Sequence, residues 1–345
     1  MSLMRAAVLT EPGEFALEER PRPEPGPSEV LVEMKRVGIC GSDVHYYDHG
    51  RIGDYVVEEP LILGHESAGV VADCGEAVTD LEPGDRVTLE PGIPCRRCEH
   101  CSSGHYNRCP EVTFMATPPH DGAFVEYRTW PADLLYRLPD SVSLAEGALC
   151  EPLSVCLHAC ARADVGVGDS VLVTGAGPIG LLAMAVARVR GATEVYVADV
   201  LATKLERALE RGADGVVNVA DDDLETAVDT WTDGRGVDVV IEASGAPSAI
   251  RDSLGVVRTG GTVAFVGLAP EAELPLDVLE IVTRELEVVG TMRFANTYPT
   301  ALALLASGRV DVAGLIDFEA PLEEVTAAFE RSKRDEVVKG MLTIG

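Results

Sequence analysis

Lysine is almost missing from this chain: Lys35, Lys204, Lys333 and Lys339 are its only lysines, and the other basic residues are arginines. Twenty-eight basic residues face 57 acidic ones, for a net charge of -29. A surface of that sign repels nucleic acid and anionic membrane, which excludes both as partners. Aromatics are few, at 5% with two tryptophans. Long apolar runs are absent too; the longest, Ile179 to Ala187, is about half of what a membrane-spanning helix requires. The N-terminus lacks the series of charged, apolar and small residues of a signal peptide, since Met4 to Thr10 reads as a short strand. These absences together lead us to expect a protein of the cytoplasm.

What is present is more specific. Nine cysteines occur, and four of them form Cys95-x2-Cys98-x2-Cys101-x7-Cys109. Adjacent Cys-x-x-Cys pairs make poor cross-links but suit a closed tetrahedral site of four thiolates, so the spacing predicts a structural zinc. A chain of 345 residues is long enough for two domains with a cleft between them. The first part is rich in Gly, Pro and short β-type runs (Glu29 to Val37, Glu66 to Ala72, Arg86 to Glu90), which predict an irregular and mostly antiparallel region. After about Ser154, strands alternate with helices: Ser170 to Thr174, Ile179 to Arg190, Glu194 to Ala198, Thr203 to Arg211, Val237 to Glu242 and Thr262 to Val266. That alternation predicts parallel βαβ units and an α/β fold. It ends on an apolar strand, Leu286 to Gly290, and the tail, Pro299 to Ile344, is expected to return to the first domain.

Between the strand ending at Thr174 and the helix after it lies Gly175-Ala176-Gly177-Pro178-Ile179-Gly180, a G-x-G-x-x-G in its required setting. Its backbone suits a dinucleotide pyrophosphate at a helix N-terminus, with Gly267 beyond a later strand in the same set. Asp199, nineteen residues past Gly180, is placed to accept hydrogen bonds from an adenosine ribose, and its charge favours NAD over NADP. Three further segments carry metal-capable side chains beside glycine or proline: Gly38 to His45, Gly64-His65-Glu66 and Glu151 to Val155.

With these segments, His45-Tyr46-Tyr47, Gly50 to Gly53, Ala116 to Pro119, and Arg293 with Asn296-Thr297, the chain resembles the zinc-dependent medium-chain dehydrogenases, in particular their polyol branch. The resemblance runs nearly end to end. It implies a GroES-like β-rich catalytic domain over 1–153, completed by 292–345, and a Rossmann doubly wound parallel sheet over 154–291. It also implies a catalytic zinc on Cys40 and His65 with Glu66 or Glu151, the choice between the two glutamates remaining open. With the cysteine lobe, two zinc ions per subunit are expected. Ser42 and His45 match the family's proton relay, and Tyr46, Phe114, Thr117, Glu151 and Arg293 its substrate contacts.

The implied reaction is NAD-linked oxidation of a secondary hydroxyl of a sugar alcohol to a ketose, in a homotetramer. Threonine, butanediol or aldose oxidation is the competing activity, and non-catalytic dinucleotide binding the competitor of another class. Two departures stand out. The four-cysteine lobe, which animal sorbitol dehydrogenases lack, is intact here, and Phe294 replaces their tyrosine. Acid excess with scarce lysine also looks like adaptation to a salt-rich cytoplasm, as in halophilic archaea, because carboxylates stay hydrated while concentrated counterions screen their repulsion.

Overall fold

The computed structural model describes residues 2–270 and 273–345. Packing divides the chain into two compact units, Met1–Glu151 with Tyr298–Gly345, and Pro152–Thr297. The joins thus fall after Glu151 and Thr297, near the changes of sequence pattern at 153 and 291.

In the first unit the strand Glu29–Gly38 is central. It pairs antiparallel with Glu66–Cys74, with Tyr127–Pro131 and with Lys339–Thr343, at the centre of a seven-stranded sheet. Val30, Val32 and Met34, at the two-residue period of a strand, are fully buried together with Val37. Leu63, Phe124, Phe329 and Leu342 join the same core. The tail therefore supplies an interior strand of this sheet, and the parallel pair Ile316–Pro321 and Lys339–Thr343 is made wholly of tail residues.

The second unit is a six-stranded parallel sheet. Its spatial order is Gly215–Asn218, Glu194–Asp199, Ser170–Thr174, Val237–Glu242, Val257–Phe265 and Glu287–Gly290. In chain order that is 3-2-1-4-5-6, the doubly wound arrangement whose switch point lies at the carboxyl ends of the first and fourth strands. The helix Pro178–Arg190 starts on Gly177 with proline at its first position and stops at Gly191, whose φ of 114° is left-handed. Its Leu181, Leu182, Met184 and Val186 are buried. At the opposite end of the sheet Asp238 accepts from the N–H and hydroxyl of Ser170 and from the guanidinium of Arg258. Burial pushes its carboxyl up, but Arg235, Ser170 and Arg258 outweigh that and hold it well below the usual carboxylate range. Among the described residues no helix is long and apolar enough to cross a membrane.

Candidate metal and dinucleotide sites

The first unit brings two groups of ligands together. Cys40 caps the N-terminus of the helix Gly41–His49, while His65 and Glu66 lie at the start of the strand Glu66–Cys74. One ligand atom from each of Cys40, His65 and Glu66 lies within 4.8 Å of the others. The sheet explains the approach, because Glu66 sits opposite Gly38 in register. A Cβ on Gly38 would stand 2.1 Å from Glu66 Oε2, so only glycine leaves room for the carboxylate there.

Two side chains that were not singled out in the sequence organise this site. Asp43, fully buried, accepts from the Cys40 and Gly64 N–H groups, at 3.0 and 3.1 Å, and its Oδ1 lies 3.4 Å from His65 Nδ1. A carboxylate behind one ring nitrogen fixes the tautomer and turns the other nitrogen toward a metal. Burial pushes the His65 imidazole down, yet Asp43 and Cys40 outweigh it and raise its pKa well above the ordinary value. The locus therefore attracts positive charge. Lys339 is the second such residue: its Nζ donates to Glu66 Oε1 at 2.6 Å and to the Ile39 carbonyl at 3.0 Å, with Oε2 at 2.5 Å. Lysine and glutamate are both buried, 2% and 1% exposed at the side chain.

Glu151, in the first turn of the helix Cys150–Arg162, is buried but not part of the three-ligand group. Burial pushes its carboxyl up to about 7, against the pull of His65 and with a further push from Glu66. The surroundings thus contain three buried carboxyls (Asp43, Glu66, Glu151) and a thiol against one lysine. A divalent cation balances such a set, and a thiol, an imidazole and carboxylates are a zinc donor set with room for a further ligand. Phe114 lies beside it, its ring 5.9 Å from that of His65. Tyr46 is buried, Ser42 and Thr117 are half-buried, and His45 is exposed.

The second group is Cys95, Cys98, Cys101 and Cys109, whose sulfurs also lie within 4.8 Å of one another. Sulfur separations of 3.4 Å for Cys98–Cys101 and 3.9 Å for Cys95–Cys101 are far from a disulfide and near the edge of a tetrahedron of thiolates. The Arg97 N–H chiefly lowers the Cys95 thiol, to about 7, whereas burial chiefly pushes its neighbour Cys101 up, to about 12.

In the second unit the glycine loop joins the strand Ser170–Thr174 to the helix Pro178–Arg190. Gly175 adopts a φ of 91°, which glycine accepts without cost. A Cβ on Gly180 would stand 1.7 Å from the Gly175 carbonyl oxygen, so helix and loop could not close on each other. A Cβ on Gly177 would meet nothing within 4 Å, leaving the open face a pyrophosphate needs at the N-terminus of Pro178–Arg190. Ile179 follows Pro178 in that first turn. Asp199 ends the second strand of the fold, and its carboxylate accepts from the Ala176 N–H at 2.6 Å and from the Leu201 N–H at 2.9 Å. It therefore touches the glycine loop itself. Glu242, fully buried, was also missed in the sequence; it accepts from the N–H groups of Ser244 and Gly245 and braces the turn against Gly267. Arg293 belongs to this second unit and takes a left-handed φ of 52°.

Comparison with known proteins decides the family. Residues 26–140 match the alcohol dehydrogenase GroES-like domain, and residues 178–307 match the zinc-binding dehydrogenase domain. Chicken (Gallus gallus) sorbitol dehydrogenase is 45% identical over 340 residues, covering 98% of this chain and 95% of the relative. The chain belongs to the zinc-binding medium-chain dehydrogenases. Solved structures agree with that assignment. A dehydrogenase of unknown specificity from Escherichia coli superposes with a TM-score of 0.96 at 37% identity, over all of both chains. A protein assigned as a zinc-binding dehydrogenase from Sinorhizobium meliloti, bound to NADP, superposes at 0.91 with 33% identity, over 99% of this chain and all of that one. A GroES-like unit with two zinc-type ligand groups and a Rossmann unit is thus the architecture of this dehydrogenase, and zinc and a nicotinamide dinucleotide are the groups its sites fit.

Proposed function

We propose that this dehydrogenase oxidises a secondary hydroxyl of a sugar alcohol of the sorbitol or xylitol type, at C2, to the ketose, and catalyses the reverse reduction. The observation that carries the reading is the donor set: Cys40, His65 and Glu66 within 4.8 Å, backed by a buried carboxyl at Glu151 where the simple-alcohol branch is expected to carry a second cysteine. The likeness to sorbitol dehydrogenases over almost the whole chain supports it.

Cys40 and His65, with Glu66 or Glu151, would hold the catalytic zinc, which would supply a Lewis acid to a carbinol oxygen, and the glycine loop would hold NAD, which would supply the hydride acceptor. Asp43 orients His65, and Lys339 holds Glu66. The Ser42 hydroxyl takes the carbinol proton and passes it toward His45, whose exposed ring delivers it to solvent. Tyr46, Thr117, Glu151 and Arg293 offer donors and acceptors along a polyhydroxylated chain, and Phe114 an apolar wall. Asp199 selects NAD by repelling a 2'-phosphate. Cys95, Cys98, Cys101 and Cys109 hold the structural zinc.

The strand Glu287–Gly290 ends its sheet, and Val278, Leu279, Val282 and Val288 near it are exposed. Such an edge extends onto a second copy, which supports a homotetramer assembled from dimers. The charge of -29 supports a cytoplasm of high salt as the setting.

A substrate panel tests the reading: sorbitol, xylitol, threonine, butanediol and glucose, each with NAD and NADP, in molar KCl. We expect the polyols with NAD to give the highest kcat/KM. Preference for threonine, butanediol or glucose would replace the substrate class. A metal content near about one zinc per subunit in place of two would favour a non-catalytic dinucleotide-binding role.

A further inference from the structure

The helix Gly41–His49 carries a pair of ligands that neither zinc site uses. His45 and His49 are four residues apart and therefore share one face of the helix. Both are exposed, and their ring centroids lie 5.6 Å apart with the planes tilted by 58°. Two imidazoles on one tetrahedral ion, each bound through a nitrogen at about 2 Å, put their centroids about 5 Å apart. The ring separation is thus within about half an ångström of the bidentate value, and exposed side chains turn their nitrogens toward a shared ion by small rotations. A histidine in the last turn of a helix is ordinarily explained by the helix dipole, and His49 alone would need no more than that. A second ring on the same face adds what the dipole does not ask for. The neighbouring acid, Asp48, is engaged by Lys333 at 3.1 Å, so the two nitrogens and water would make up the coordination shell.

We propose that His45 and His49 form a surface site for a borderline divalent cation of the Zn2+, Ni2+ or Cu2+ type, separate from the Cys40 site. Imidazole selects these ions over Mg2+ and Ca2+, and paired histidines at this helical spacing are an established ligand motif. Occupation has a consequence for catalysis that rests on the relay reading given above. An imidazole whose lone pair is given to a metal cannot accept a proton, so the cation inhibits by capturing His45. Excess zinc in the medium, and not only the resident ions, then regulates the enzyme.

The test uses zinc-saturated holoenzyme freed of excess metal, with Ni2+ as the probe. Equilibrium dialysis is run on the wild type, His49→Gln and His45→Gln, and dehydrogenase activity is followed against Ni2+ in the wild type and His49→Gln. His49→Gln should keep its basal turnover and its two resident zinc ions. We expect the wild type to bind about one Ni2+ per subunit more than either variant. The half-inhibiting Ni2+ concentration should rise at least roughly tenfold in His49→Gln, while Mg2+ does nothing to either protein. Equal Ni2+ stoichiometry and affinity in the wild type and both variants overturns the site. Binding lost in the variants, with inhibition identical in wild type and His49→Gln, leaves the site standing and overturns the relay role of His45.

Discussion

The two metal groups are built in opposite ways. Cys95, Cys98, Cys101 and Cys109 come from fifteen consecutive residues, and the helix Glu99–Ser102 with the turn Tyr106–Arg108 brings their sulfurs together using little else of the chain. Cys40, His65 and Glu66 come from a helix cap and a strand, and they meet only because Gly38 and Glu66 are in register and Lys339 arrives from the far end of the sequence. The first site is a local motif and the second a product of the sheet. A lesion in the first should therefore cost stability, and one in the second should cost chemistry. The largest effect expected is for Cys40→Ser: turnover falls to background while NAD binding and the fold persist. Cys98→Ser should instead lose the structural zinc and lower the melting temperature, keeping turnover in the molecules that stay folded. Zinc content, NAD titration and thermal melting on both variants check this. If Cys98→Ser abolished turnover without loss of stability, the division of labour between the sites would collapse.

Lys339 sharpens the same contrast, because it ties the Cys40, His65 and Glu66 group to the sheet. Removing one partner of a buried ion pair leaves an uncompensated charge, so Lys339→Met should destabilise the protein by about 3–5 kcal/mol. Neutralising the partner as well, in Glu66→Gln/Lys339→Met, should restore much of that loss, and denaturant melts on the single and double variants measure the coupling. Purely additive losses would mean that the pair is not a unit. A smaller effect is expected at Asp43, which acts through His65: Asp43→Asn should weaken zinc at the Cys40 site by about 10–100-fold. Competition with a chelator reads this, and the four-cysteine zinc serves as the internal control, since it should be retained.

How much was legible in the sequence follows from the same difference. The cysteine lobe and the glycine loop could be read directly, because their ligands and turns lie within a few residues of one another. The strands Ser170–Thr174 and Val237–Glu242 were equally plain, being short stretches rich in valine and buried on both faces. Cys40, His65 and Glu66 were legible only through resemblance, since nothing local says that residues 40 and 65 meet. Asp43 had a weak local signal, an acid three residues after the helix cap, where it accepts from the cap N–H. Lys339 had none: a lysine at the start of an apolar closing strand looks like an edge charge until the fold brings its Nζ to the Glu66 carboxylate. The strand Gly215–Asn218 and the helices Leu224–Thr232 and Pro247–Val256 were also passed over. The strand is four residues long, and the aspartates around it read as loop.

The dinucleotide site falls between the two extremes, and Asp199 is where this can be tested. Its place in sequence is local to the glycine loop, yet its action depends on a contact, the 2.6 Å hydrogen bond from the Ala176 N–H, that the fold must make. One carboxylate would then have two roles: it holds the loop, and on the proposed reading it would repel a phosphate at the ribose. Asp199→Ala removes both, so affinity for NAD should fall while discrimination against NADP shrinks. Asp199→Asn keeps an acceptor for one of the two N–H groups, Ala176 or Leu201, and loses the charge. The two variants therefore separate positioning from repulsion. We expect the NAD to NADP ratio of kcat/KM to drop by about tenfold in both, since one charge contact of about 1.4 kcal/mol is lost in each. The additional loss of NAD affinity should be larger in the alanine variant, which keeps neither N–H contact. An unchanged cofactor ratio in Asp199→Asn would show that the loop contact, and not the charge, is what this residue contributes.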